Sequence, residues 1–310
     1  MSGEYSNLIT NGETLNRKEL DKNGKSSVRS FFNRMADDYE KRYTEEEIKN
    51  KYPANQIRLN IFISVLRNIK PKKVLDVGCG SGKPMVEMLN HGFEVHGFDY
   101  AEKMVEEARR NLNKAGYPEE LVQANNMEDI RGIKPGDFDC VVALGSIYYA
   151  RDFNKTVKNI VNLLPLNGHF IFSLRNDLFS LFSINKYTIH FFFKELMPTE
   201  MFRDDTKQKI FEFLSGAFSE KDVKHQFETI DDLNIRSVFH NPLTVEKEVL
   251  SAFNLRLKGL YFYHFHAMPP IFEHIIPEEF RTVSARLENA TDWRGLFMAS
   301  AFIVHAQKKP

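Results

Sequence analysis

Residues 74–84, reading VLDVGCGSGKP, constrain the fold of this chain more than any other stretch. Val74, Leu75 and Val77 form a short apolar run rich in β-branched side chains, the composition of a buried parallel strand. Asp76 lies inside that run, where an unpaired carboxylate costs several kcal/mol, so it requires a partner. Gly78, Gly80 and Gly82 then alternate through a turn. Glycine admits positive φ and leaves backbone N–H groups uncovered, so this turn is built to pass close to something bulky and polar. Met85, Met88 and Leu89 recur at helical spacing behind it, and Pro84 suits a first helical turn. Strand, glycine turn and helix together make a nucleotide-type site. The phosphate-cradling loop G-x-x-x-x-G-K-[ST] is excluded, because Val77 stands at its first glycine and Pro84 follows Lys83. The dinucleotide fingerprint G-x-G-x-x-G is excluded because the spacing is G-x-G-x-G.

With those two set aside, the stretch closely resembles the first motif of class I S-adenosylmethionine-dependent methyltransferases. The resemblance implies S-adenosyl-L-methionine as cofactor, with its methionine part against Asp76, Gly78, Gly80 and Gly82. A glycine turn without a ligand is the plain alternative.

The next segment, residues 94–113, gives a second strand and a helix. Asp99 stands at the strand's carboxyl end, where ligands bind in open parallel sheets. A carboxylate there can accept both ribose hydroxyl protons; it can also cap the following helix, and the two roles can coexist. Tyr100 and Met104 are then placed to contact an adenine. Residues 121–130, LVQANNMEDI, resemble the family segment in which an Asp reads the adenine amino group. Asn126 takes that position here, followed by Met127, and an amide oxygen can still accept the proton. A polar loop is the other reading. Residues 137–149, DFDCVVALGSIYY, give a fourth strand, and the resemblance points to Leu144, Gly145, Ser146, Tyr148 and Tyr149 around the methyl-transfer cavity. An Asn167–Gly168 turn, matching a glycine pair in the family, leads to the fifth strand, which ends at Arg175 and Asn176. Five strands alternating with helices through short turns predict a doubly wound, mostly parallel α/β sheet. With two further strands at the carboxyl end, the last antiparallel, seven strands are expected.

Upstream, residues 1–27 are polar and read as a mobile N-terminal tail. From Ser30, Phe31, Phe32, Met35, Tyr39 and Tyr43 fall at intervals of three and four on one helical face. The resemblance makes Tyr39 and Tyr43 candidates to close over the cofactor, against simple packing. A further helix, residues 55–68, presents Ile57, Ile61, Val65 and Leu66 and leads into the glycine strand.

The organisation expected is a cofactor-binding Rossmann-like core over 28–176, an inserted mainly helical cap over 177–248 and closing strands over 249–310. The cap is dense in Phe and falls where simple family members have only a short connection. Its aromatics suit its own core, a substrate pocket or a subunit interface. The closing part holds a helix at 244–255, a strand containing Leu260–His266 with Leu260, Phe262, His264 and His266 on one face and Tyr261, Tyr263 and Phe265 on the other, a helix at 277–289 and a last strand at 297–307.

The chain has 310 residues, 42% of them apolar, with 42 basic and 42 acidic side chains. Zero formal charge argues against a general nucleic-acid binder. No apolar run approaches the ~20 residues that span a bilayer, so no stable membrane insertion is expected. The first twenty residues show no basic start followed by an apolar block, so no secretory signal is expected. Cys79 and Cys140, the two cysteines, read as buried thiols of a reducing, cytoplasmic compartment. A nucleophilic Cys79 lacks an adjacent His or Asp to activate it.

Methyl transfer is an in-line displacement at a sulfonium, so the protein mainly positions the acceptor and excludes water. A base is required only where the acceptor must lose a proton. His266, then His264, then Tyr148 are the catalytic candidates, each weighed against a purely structural role. Ser146, Tyr149, Arg175 and Asn176 are the substrate candidates. The His-x-His pair has no neighbouring carboxylate or Cys to complete a metal site, so no metal is expected. The broad likeness is to small-molecule methyltransferases of the ubiquinone-biosynthesis and natural-product type. It predicts O- or N-methylation of a sugar, amine, phenol or acyl derivative, with a homodimer compatible. A cofactor-binding scaffold without turnover, and a C-methyltransferase acting on a lipid-linked ring, are the competing readings.

Overall fold

The computed structural model describes residues 28–33, 36, 52–196, 202–217, 238–273 and 275–310. Helix α1 (Ala54–Ile69) precedes strand β1 (Lys73–Val77), followed by α2 (Lys83–Asn90), β2 (Glu94–Asp99), α3 (Glu102–Lys114), β3 (Val122–Ala124), β4 (Cys140–Ala143), α4 (Phe153–Leu163) and β5 (His169–Asn176). Three helices come next, α5 (Phe179–Ser183), α6 (Lys186–Phe191) and α7 (Asp204–Ala217). The short strand β6 (Phe239–His240), β7 (Leu255–Phe265), α8 (Pro277–Arg286), α9 (Gly295–Met298) and β8 (Ala299–Lys308) complete the described chain.

The strands form one sheet in the order β3-β2-β1-β4-β5-β8-β7, with β6 paired to the end of β5. β1 to β5 run parallel, and β8 is antiparallel to both its neighbours. This is the doubly wound Rossmann-like sheet expected, with the two-residue β6 as an eighth strand. Strand order turns around between β1 and β4, and the crevice at that switch point is where such sheets bind ligands.

Alternation along each strand divides the core between the two faces. Leu75, Val77, Phe170 and Phe172 pack with Val157 and Ile160 of α4 on one face. Val74 and Ile171 pack with Phe62 and Leu66 of α1, Met85 and Met88 of α2 and Leu112 of α3 on the other. Each fully buried Phe or Leu of this kind contributes roughly 1.5–3 kcal/mol. Asn167 takes the left-handed conformation (φ 64°) in the turn before β5. Helix α4 is capped by Asp152, whose side chain accepts from the Lys155 N–H at 2.9 Å.

Four expectations shift. The helix expected at 244–255 is a π turn (Glu246–Leu250) followed by a 3-10 turn (Ser251–Phe253). The helix expected at 277–289 ends at Arg286. The strand expected from residue 297 begins at Ala299, because Gly295–Met298 makes a helical turn. On β7, Leu260 and Phe262 lie on one face and Tyr261 and Tyr263 on the other, as alternation requires. Phe265, however, joins Phe262 rather than Tyr263. His264 has φ 63°, and this left-handed residue breaks the two-residue period at the strand's end.

Residues 28–33 and 36 are helical, and Phe32 and Ala36 pack with Ala101 and Met104 at the start of α3. The Phe32 ring lies 5.5 Å from that of Tyr149. Of the aromatic face expected there, Met35, Tyr39 and Tyr43 lie outside the described residues.

Candidate active site

The site grows out of the glycine turn. Gly78 and Gly82 both have φ 74°, and each is closed in from outside. A Cβ on Gly78 would stand 2.8 Å from Ser146 Oγ, and one on Gly82 would stand 2.9 Å from Ala108 Cβ. The turn is thus wedged between the loop after β4 and helix α3. The N–H groups of Gly78 and Cys79 both donate to the Phe98 carbonyl, at 2.8 and 3.0 Å, which ties the turn to β2.

Asp99 fixes the other side. Its Oδ2 accepts from the Gly80 N–H and its Oδ1 from the Ala101 N–H, both at 2.9 Å. Ala101 occupies the N-cap of α3, so Asp99 braces the turn rather than capping the helix. Burial raises the Asp99 pKa, and the N–H bonds from Ala101, Gly80 and Tyr100 oppose that. Each carboxylate oxygen has two acceptor positions. Those N–H groups draw on three of the four, which leaves capacity for a ribose hydroxyl.

Asp76 is 2% exposed. Burial, then the nearby charge of Asp99, pushes its pKa up to about 7, against the pull of Arg58. Arg58, from α1, is itself buried, and its guanidinium lies against Gly145 in the turn after β4. This arginine supplies the opposing charge that the sequence demanded for Asp76 without identifying it. A signal was present: residue 58 stands one turn before Phe62 on the apolar side of α1, where a charge has no packing reason.

Ser146 Oγ donates to the Val77 carbonyl at 2.7 Å, and Gly145 N–H donates to Ser173 Oγ at 2.7 Å. Ser146 is therefore occupied in joining β4 to β1. Leu144 packs in the core under α1. Met127 overhangs the glycine turn, with its methyl carbon 3.5 Å from where a Gly78 Cβ would be. The Asn126 Oδ1 accepts from the Glu128 N–H at 2.9 Å and keeps one acceptor position. Met104 is buried under Phe32 and Ala101. Arg29 covers Tyr100, 5.4 Å from its ring, and pairs with Glu102, so helical residues 28–33 lie across this end of the crevice.

Beyond β4 the lining becomes aromatic. Tyr148 and Tyr149 have ring centres 4.5 Å apart, and the Arg175 guanidinium sits 5.1 Å above the Tyr148 ring. Asn176, by contrast, has both amide hydrogens engaged. Its Nδ2 donates to the carbonyls of Gly295, Leu296 and Ala299, and its Oδ1 accepts from Leu178 N–H. With its donors spent on the fold and its surface buried, Asn176 anchors the end of β5.

His264 and His266 lie together at the end of β7, with ring centres 4.8 Å apart. Tyr52, His264, His266, Glu273, Phe280 and Arg281 are among the residues around a cavity of about 230 Å³ there. His264 Nδ1 bonds Ser300 Oγ at 2.9 Å, whereas neither ring nitrogen of His266 has a partner among the described residues. Burial pushes His266 down to about 4, and burial, helped by His266 and Arg175, drives His264 well below its usual value. Both rings are neutral at pH 7.

Cys79 and Cys140 are buried free thiols whose pKa values burial drives up, so neither is a nucleophile. Among the described residues, no group of three or more His, Cys, Asp or Glu could hold a metal ion, and no helix is long and apolar enough to cross a membrane.

A sequence model described as a methyltransferase domain matches residues 75–172. An uncharacterized protein of Haemophilus influenzae is 33% identical over 141 residues, covering 43% of this chain and 56% of that protein. A ubiquinone biosynthesis O-methyltransferase of Vibrio campbellii is 30% identical over 132 residues, with the same coverage of each chain. The chain thus spans about half the length of the curated relatives it matches. Among solved structures, magnesium protoporphyrin IX methyltransferase from Synechocystis PCC 6803 superposes with a TM-score of 0.54 at 15% identity, covering 92% of this chain and 100% of that one. That likeness is one of fold. In sequence, the glycine-turn half of the chain resembles the class I methyltransferases of ubiquinone biosynthesis.

Proposed function

We propose that this chain binds S-adenosyl-L-methionine across the carboxyl ends of β1, β2 and β4 and transfers its methyl group to an oxygen or nitrogen of a small metabolite, such as a sugar, amine, phenol or acyl derivative. One observation carries the reading. Buried Asp76 and Arg58 bring opposite charges to the glycine turn, while Asp99 keeps acceptor capacity one strand away. A free amino acid has an ammonium and a carboxylate, and a ribose has a vicinal diol. Few ligands other than a nucleoside with a free amino-acid end carry both.

Arg58 holds the carboxylate end, and Asp76, half ionised near neutrality, receives the ammonium. Asp99 takes a ribose hydroxyl. Asn126 accepts from the adenine amino group, with Met104, Met127 and Tyr100 around the ring and Leu144 beneath the cofactor. By the family resemblance, Tyr39 and Tyr43, outside the described residues, are the candidates to close over it. The bound cofactor supplies a methyl group already activated by the sulfonium charge. The chain's part is therefore orientation and exclusion of water. Phe32, Tyr148 and Tyr149 enclose the place of transfer, and the 177–248 segment selects the acceptor.

Where the acceptor must lose a proton, His266, His264 and Tyr148 are the available groups. A histidine held near 4 is neutral at pH 7 and free to accept, but it is a weak base there. Positioning thus contributes more than proton transfer.

Isothermal titration with S-adenosylmethionine and S-adenosylhomocysteine tests the reading. Micromolar binding of both is expected, with release of S-adenosylhomocysteine once an acceptor is supplied. Failure to bind either would sink the assignment. Tight binding with no turnover across sugars, amines, phenols and acids would turn it into a scaffold.

A further inference from the structure

Arg175 is the last charged side chain of β5, and the fold takes trouble to hold it. Its backbone pairs with Phe239 of β6 on one side and Ala301 of β8 on the other. Tyr263, on the next strand, pairs with the same Ala301, so arginine and tyrosine stand in one row across the sheet. The guanidinium lies over Tyr148, bonds Tyr149, and has Tyr263 within electrostatic reach. Its Nε is shielded from solvent and has no hydrogen-bond partner among the described residues.

What it lacks is an anion. The groups around it are three phenols and the neutral His264, and among the described residues no carboxylate pairs with it. Arg175 is half-buried, and a guanidinium keeps its proton, so the charge of one held partly out of water is normally matched by a carboxylate or phosphate. Arg175 stands at the carboxyl edge of the sheet, beside Tyr148 and Tyr149, on the acceptor side of the crevice. Resting on the function proposed above, we infer that the methyl acceptor carries a carboxylate, which pairs with Arg175 while an apolar or aromatic body lies against Tyr148, Tyr149 and Phe32.

The charge present decides between carboxylate and phosphate. A single guanidinium neutralises one negative charge, and His264 adds none. Arg58 is set against Asp76 and Gly145 beside the glycine turn. A monoanion balances the site and a phosphate dianion overfills it. The planar fork of N–H groups also fits the two oxygens of a carboxylate. Recognition of this kind makes acids much better ligands than their amides, because an amide leaves the guanidinium unpaired.

The experiment uses the full chain loaded with S-adenosylhomocysteine. Phenylacetate, benzoate and indole-3-acetate, their primary amides, and phenyl phosphate are titrated by ligand-observed NMR, with wild type beside R175Q and R175K. The acids are expected to bind roughly 10-fold or more tighter than their amides, the scale of one charge-assisted hydrogen bond. R175Q should erase that preference while leaving S-adenosylhomocysteine affinity unchanged, and R175K should keep part of it. If R175Q does not fold, the wild-type comparison and R175K decide. Equal binding of acid and amide, no binding of either, or a preference surviving in R175Q would overturn the inference. Tighter binding of phenyl phosphate would overturn its choice of carboxylate. Each of those results occurs with the cofactor site intact. A wild-type protein that binds neither cofactor form instead overturns the parent function, and this inference with it.

Discussion

Replacing Gly78 with alanine probes the join on which the cofactor crevice depends. At φ 74° an L-residue pays about 1–2 kcal/mol for its backbone conformation alone. The new methyl would stand 2.8 Å from Ser146 Oγ, and pressing it into that packed contact costs about 1–3 kcal/mol more. Moving Ser146 also gives up its hydrogen bond to the Val77 carbonyl, another ~1 kcal/mol. The expected loss is roughly 3–6 kcal/mol, a large share of the 5–15 typical of a whole domain. Urea unfolding of wild type, G78A, S146G and G78A/S146G measures it. Deleting the Ser146 side chain removes the collision but not the backbone penalty. G78A should therefore cost only about 1–2 kcal/mol in the S146G background, with a coupling of about 2–4 kcal/mol between the two sites. A coupling within the ~0.5 kcal/mol expected of independent positions would refute the account. So would a single mutant destabilised by under 1 kcal/mol, since it would mean that the turn and the loop after β4 do not constrain each other.

R58Q should weaken S-adenosylhomocysteine binding roughly 30-fold by isothermal titration, and a change below about threefold would remove Arg58 from the site. With the Asp76 carboxyl pushed up to about 7 in the fold against 3.8 without it, its acid form is the one the native state prefers. Asp76 therefore takes away stability as pH climbs from about 4 to about 7, and the advantage of D76N over wild type should grow across that window by up to about 1.4 kcal/mol per unit. A pH-independent difference in urea midpoints would contradict this. His266 has the opposite sign: burial holds it near 4 against 6.5 in the open chain, so its contribution is present above 6.5 and is lost as pH falls towards 4. H266F should therefore lose less stability than wild type between pH 7 and 5, and parallel acid profiles would show that the ring is not buried neutral.

The cofactor half of the crevice was legible because its determinants are local. One turn carries the three glycines and Asp76, and Asp99 and Met104 follow within two elements. Strand alternation and helical spacing placed β1 to β5 and their helices for the same reason, each pattern being complete within about ten residues. Where a single backbone angle decided the outcome, the pattern misled: Phe265 changes face because His264 turns left-handed, and nothing in YFYHFHA announces it. Arg58 was a different kind of omission. Its helix was recognised, but a charge on an apolar face has meaning only once Asp76 and Gly145 are seen beside it.

The acceptor side resists reading because no segment contains it. Tyr148 comes from the turn after β4, Arg175 from β5, Tyr263 from β7 and Phe32 from helical residues 28–33, and each is unremarkable among its own neighbours. Sequence placed Asn176 and Arg175 together as substrate groups, since both follow the same strand. Three dimensions separate them, because three carbonyls around α9 and β8 take the Asn176 amide hydrogens while the neighbouring guanidinium keeps a donor with no partner among the described residues. What distinguishes a binding residue from a structural one here is therefore hydrogen-bonding capacity left over after folding. By that criterion Asp99, with acceptor capacity left, and Arg175, with no anion among the described residues, are the open ends of the proposed site, one for a sugar and the other for an acid.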